Sequence, residues 1–118
     1  MDSVVPADIW GVQVTQRGLQ TRIVTVTGEL DALTAPALAT VLTETLAAAQ
    51  IVVVDLDGVQ YLASAGLRVL IEAHQLAAEH GSTLRLVCHC PSANLVFDGS
   101  GLRAHFTFAD SVALAVGQ

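Results

Sequence analysis

The segment Ile51-Val52-Val53-Val54-Asp55-Leu56-Asp57-Gly58, continued by Val59-Gln60-Tyr61-Leu62-Ala63-Ser64-Ala65-Gly66-Leu67-Arg68-Val69-Leu70, decides how the chain is read. Four consecutive β-branched apolar residues suit a central strand covered on both faces, and Asp55 to Gly58 reads as the turn that ends it. From residue 65 the apolar positions change period. Leu67, Leu70, Ile71, His74 and Ala78 fall on one helical face, and Gly81 stands where a helix stops in the left-handed conformation. A buried strand feeding a helix is the repeating unit of a parallel sheet.

Moving toward the amino terminus, Thr34 is placed to N-cap a helix with Pro36 in its first turn. Leu38, Val41, Leu42, Thr45, Leu46 and Ala49 form its apolar stripe. Before it, residues 9 to 16 and 19 to 27 read as strands, joined at Arg17-Gly18 into a hairpin. Toward the carboxyl terminus, Leu84 to Cys88 reads as a strand and a short helix after Ser92 carries Leu95, Val96 and Phe97. Phe106 to Phe108 suits an edge strand, and Asp110 or Ser111 caps a last helix through Val116. The order β β α β α β α β α predicts a single α/β domain over residues 1–118. Its sheet is mixed and mostly parallel, of about five strands with an amino-terminal hairpin, packed with about four helices.

Composition narrows the function classes. The 118 residues are 53% hydrophobic, with a formal charge of −6, which argues for a packed core and against disorder. The basic residues are Arg17, Arg22, Arg68, Arg85 and Arg103, set against 11 acids, so a run of phosphates has nothing to bind and no nucleic acid partner is expected. No stretch of about 18 uncharged apolar residues exists, and Met1 to Pro6 lacks the form of a signal peptide, so no membrane insertion and a cytoplasmic location are expected. Cys88 and Cys90 read as reduced thiols, Cys88 packed as a small apolar residue and Cys90 nearer solvent. If either is a redox site, mild oxidant should change partner affinity. With His89 and His105 the thiols make too sparse a ligand set for structural zinc, so no metal site is expected.

Several motifs have plain structural readings. Gly99-Ser100-Gly101-Leu102-Arg103-Ala104 fits a dinucleotide fingerprint in spelling but lacks the flanking strand and helix. A nucleophile elbow needs Gly two residues before the serine, and Leu62 occupies that place before Ser64. No catalytic residue and no cofactor are therefore expected. Trp10 reads as a packing residue on a sheet face, and His74 as a half-buried histidine with a backbone partner.

Gly28-Glu29-Leu30-Asp31 before the first long helix, together with Ser64-Ala65-Gly66-Leu67 opening the second, resembles the STAS domain of bacterial anti-sigma factor antagonists over essentially the whole chain. The resemblance implies a partner-switching protein, not a catalyst. Such a protein binds an anti-sigma factor with a kinase-type ATP-binding fold and so releases a sigma factor for transcription. It implies a docking site at Leu62, Ser64, Ala65, Gly66 and Leu67, with Asp31 and Asp57 giving an acidic rim suited to a basic surface. Ser64 is placed to cap the helix, and Gly66 is expected to let a partner's backbone approach, so that Gly66→Arg should leave the fold mostly intact.

The serine that such proteins have phosphorylated immediately before the glycine is Ala65 here, and the aspartate that commonly begins the motif is Ala63. Phosphoregulation is then either missing or moved to Ser64. The hydroxyl-Ala-Gly pattern also resembles the small STAS subunit of a bacterial lipid-transport ABC system, which docks on an ATPase. A small-molecule or nucleotide binder is a third reading. An open edge at the first strand would allow a homodimer. The Ala-rich, Arg-only composition suits a GC-rich bacterium.

Overall fold

A computed structural model describes residues 3–5 and 11–117. Trp10 and Ile9, assigned above to the first strand, lie outside the described residues. A single five-stranded sheet runs in the order β1 (Ser3–Val5), β2 (Val12–Arg17), β3 (Thr21–Leu30), β4 (Ile51–Leu62), β5 (Thr83–Val87). The first two pairings are antiparallel and the next two parallel, so the expected hairpin and mixed sheet are present and β1 adds a further antiparallel edge. β4 stands between β3 and β5, second from the edge rather than in the middle.

Both crossovers step the same way across the sheet, so right-handed connections put α1 (Ala35–Ala48) and α2 (Ser64–His80) on one face. Strand residues of one parity point at them: Val12, Val14, Val24, Val26, Val52, Val54, Leu84 and Leu86 join Leu38, Leu42, Leu46 and Leu70 in the main core. The opposite parity, Ile23, Val53 and Val87, is covered by Ala115 of α4 (Val112–Val116). Ser111 caps α4, its hydroxyl accepting from Leu114 N–H at 3.1 Å, as expected. Gly81 stops α2 with φ +71°, also as expected. The buried residues of α2 after Leu70 are Ala73 and Ala77, while Ala78 is exposed, so the packed face is turned slightly from the predicted one. α3 (Pro91–Ser100) buries Ala93 and Phe97.

The expected turn at Asp55 to Gly58 is not there. β4 continues to Leu62, held by β3, with one extra residue on its side at each of two register shifts. Opposite the bulges Gly28 takes φ +84°, a conformation that favours glycine. Acidic residues and a glycine read as a turn in isolation, but here they occupy a strand whose edge beyond Asp55 has left β5 behind. The loop before α3 and the first turn of α3 cover that edge: Asp57 accepts from His89 N–H at 2.7 Å, and the Ser92 hydroxyl donates to Gln60 O at 2.8 Å. The expected edge strand at Phe106 to Phe108 reduces to one bridge, Leu86 with Phe108, after a 3-10 turn at Arg103–His105.

Candidate functional site

β3 and β4 end side by side, with Ala63 N–H donating to Leu30 O at 2.9 Å, so the loop after Leu30 and the start of α2 emerge together. Ala63, not Ser64, is the N-cap of α2, and its methyl group accepts nothing. Ser64 is the first helical residue, exposed, so the expected capping role is replaced by display to solvent. Ser64, Ala65 and Arg68 line an open hollow of about 260 Å3.

The other docking candidates divide by burial. Leu62 and Leu67 are buried, at 2% and 8% exposure, and contribute to the core rather than to a contact surface. Gly66 is buried too. A Cβ built there would lie 2.6 Å from Leu30 Cγ and 2.9 Å from Leu62 Cδ1, so this glycine lets α2 approach the end of β3, not a partner approach α2. The expectation that Gly66→Arg leaves the fold intact is overturned by that contact.

Asp31 and Asp57 are held by separate segments. Asp31 Oδ1 accepts from Leu33 N–H at 3.0 Å and Thr34 N–H at 3.2 Å, while the Thr34 hydroxyl accepts from Asp31 N–H and donates to Glu29 O. Thr34 does occupy the N-cap of α1, but its side chain ties the preceding loop instead of capping the helix. This tied loop presents Leu33 at 87% exposure, and Tyr61, one residue before the end of β4, is 53% exposed. Sequence reasoning missed both. Tyr61 carries a signal in retrospect, because Val59 and Leu62 around it point inward.

Asp57 faces His89, whose Nδ1 lies 3.0 and 3.1 Å from the two carboxylate oxygens. The hydrogen bond to Asp57, with its charge, raises the His89 imidazole above its ordinary value. Cys88 and Cys90 are free thiols. Burial pushes the Cys88 thiol up, whereas the Ser92 hydroxyl, 3.2 Å from Cys90 Sγ, draws the Cys90 thiol down. His74 is half-buried as expected, but its Nδ1 is buried without the expected hydrogen-bond partner. Among the described residues no group of three metal-ligating side chains converges, and no helix is long and apolar enough to cross a membrane.

These features define a small mixed-sheet α/β domain that displays a serine, a leucine and a tyrosine where two parallel strands end. The chain belongs to the STAS domain family, whose model matches residues 12–115. An anti-sigma factor antagonist from Mycobacterium paratuberculosis has the same fold, with a TM-score of 0.79 at 23% identity over 99% of this chain and 92% of that one. The unphosphorylated anti-sigma factor antagonist SpoIIAA gives 0.76 at 17% identity, over 89% and 92% of the two chains. A putative anti-sigma factor antagonist from Thermotoga maritima gives 0.75 at 14% identity, over 99% and 91%. No curated protein matches the sequence.

Proposed function

We propose that the protein is an anti-sigma factor antagonist that binds a cytoplasmic anti-sigma factor with a kinase-type ATP-binding fold and thereby frees a sigma factor. It acts by docking and catalyses nothing. The observation that carries this reading is the exposed end of the sheet: β3 and β4 end hydrogen-bonded side by side, and Ser64 opens α2 just after β4. Leu33 in the loop after β3 and Tyr61 near the end of β4 are exposed apolar groups that water does not favour. Ser64 and Ala65 form the centre of the contact, with Leu33 and Tyr61 as apolar anchors. Asp31 shapes the contact through its loop, and Asp57 adds negative charge suited to a basic surface.

The alanine at position 65 removes the acceptor that the family resemblance places there. Control then passes to Ser64 or is absent. A phosphate on Ser64 would bring about −1.5 to −2 charge to the middle of the contact, with Arg68 lining the same hollow to receive it. The test is a pull-down from the native cell extract, then incubation of the captured protein with ATP and mass spectrometry of the bait. Capture of a kinase-fold anti-sigma factor supports the antagonist, and phosphate on Ser64, or none, decides the switch. Capture of a transporter ATPase would replace this reading with the lipid-transport one.

A further inference from the structure

The imidazole of His74 on α2 meets that of His105 at the end of the 3-10 turn, with ring centroids 5.2 Å apart and planes at 52°. Phe106 packs edge-on against both rings, at 5.8 and 5.6 Å. It continues into an aromatic cluster with Phe97 and Phe108, at 5.6 and 6.2 Å. A hollow of about 150 Å3, lined in part by His74, Ala77, Leu84 and Thr107, lies beside the contact. From here the chain runs along the outer edge of β5, where Leu86 N–H donates to Thr107 O at 2.8 Å and Ala109 N–H donates to Leu86 O at 2.9 Å. The two histidines therefore fasten the segment that covers this edge.

We propose that the His74–His105 contact is an acid-sensitive latch, whose protonation releases residues 103–109 from α2 and uncovers the outer edge of β5.

The groups around His74 favour its neutral form. One turn away on α2 stand Leu70, Ile71, Ala77 and Ala78, none of them charged. β5 brings Thr83 and Leu84, and the following segment brings Phe106 and Thr107. The 3-10 turn brings His105 and Arg103, and Arg103 is taken by Asp98 at 2.6 Å and Asn94 at 2.6 Å while its guanidinium covers the Phe108 ring. Nδ1 of His74 has no acceptor to receive a proton's hydrogen bond. An N–H at Nδ1 of protonated His74 is thus unpaired in the closed arrangement and hydrated in the open one, and the His105 ring 5.2 Å away disfavours the charge. Burial, then the charge of His105, lowers His74 from its ordinary 6.5. The closed state therefore binds fewer protons, so the latch holds fully above about pH 6.5 and weakens as pH falls below it.

Amide hydrogen exchange, corrected for the intrinsic rate, tests this at about pH 7.5 and about pH 5.5, with Val53 N–H in β4 reporting global opening. Each unit by which the His74 value is depressed is worth up to a tenfold change in opening. Protection at Leu86 and Ala109 should fall several-fold in the wild type, by at most about tenfold, with Val53 unchanged. In His74→Phe, which keeps the ring contact without the titration, it should fall by less than about threefold. His105→Gln, at an exposed position, serves if His74→Phe does not fold. Unchanged wild-type protection, an equal fall in the variant, or a parallel fall at Val53 would each overturn the latch.

Discussion

Gly66 packs directly on Leu30, so closely that a methyl group in place of its hydrogen would sit 2.6 Å from Leu30 Cγ. The contact joins the first turn of α2 to the end of β3, and it sets the position of Ser64 relative to the loop that carries Leu33.

Gly66→Ala should therefore destabilise the fold by about 1–3 kcal/mol in a urea titration, because Leu30 and Leu62 must leave their places. Gly99→Ala in α3 is the control. A Cβ there meets nothing within 4 Å, so it should be neutral or stabilise by about 0.5–1 kcal/mol. Equal losses for the two would mean that close packing at Gly66 is not the cause.

Leu70 is fully buried between α2 and the sheet. Leu70→Ala should cost about 2–5 kcal/mol, read as a lowered urea midpoint. A loss under about 1 kcal/mol would place Leu70 in a site able to collapse around the cavity.

Asp31→Ala removes the acceptor for Leu33 N–H and Thr34 N–H, with an expected cost of about 0.5–2 kcal/mol. It should also weaken partner binding, since Leu33 would no longer be presented by a tied loop. Isothermal titration against the anti-sigma factor separates the two effects.

His89 titrates above its ordinary 6.5 because Asp57 holds its protonated form. The stabilisation from this exposed pair is complete below that value and fades as pH rises through the raised one. Asp57→Asn should bring the His89 midpoint down toward 6.5 in an NMR titration, and an unmoved midpoint would assign the shift elsewhere.

Much of the fold could be read in advance because its signals are local. The run Val52 to Val54 is buried on both faces, and Ser111 and Gly81 act where their residue types say they should. What escaped depends on partners distant in sequence. Asp55 to Gly58 looks like a turn until β3 is set beside it. Gly66 looks like an open approach until Leu30 arrives from 36 positions earlier in the chain. At the site, Ser64 and the acidic pair were legible as chemistry, but which side chains face outward was not. The same pattern that placed Leu62 and Leu67 beside the serine also fits the core they occupy. Leu33 gave no sign, since an exposed leucine and a buried one are spelled alike, whereas Tyr61 could be placed only once its neighbours Val59 and Leu62 were known to point inward.

The proposed docking surface around Ser64 should displace a sigma factor from its anti-sigma factor. The direct measurement is size-exclusion chromatography of a preformed sigma–anti-sigma complex after adding the wild-type protein or Ser64→Arg. The substituted side chain sits at an exposed first-turn position and leaves the core untouched, at a cost near the helix terminus of about 0.3–1 kcal/mol. The wild type should elute with the anti-sigma factor and free the sigma factor, while folded Ser64→Arg should leave the complex whole. Release by both proteins alike would contradict the docking site, and release by neither would contradict the function.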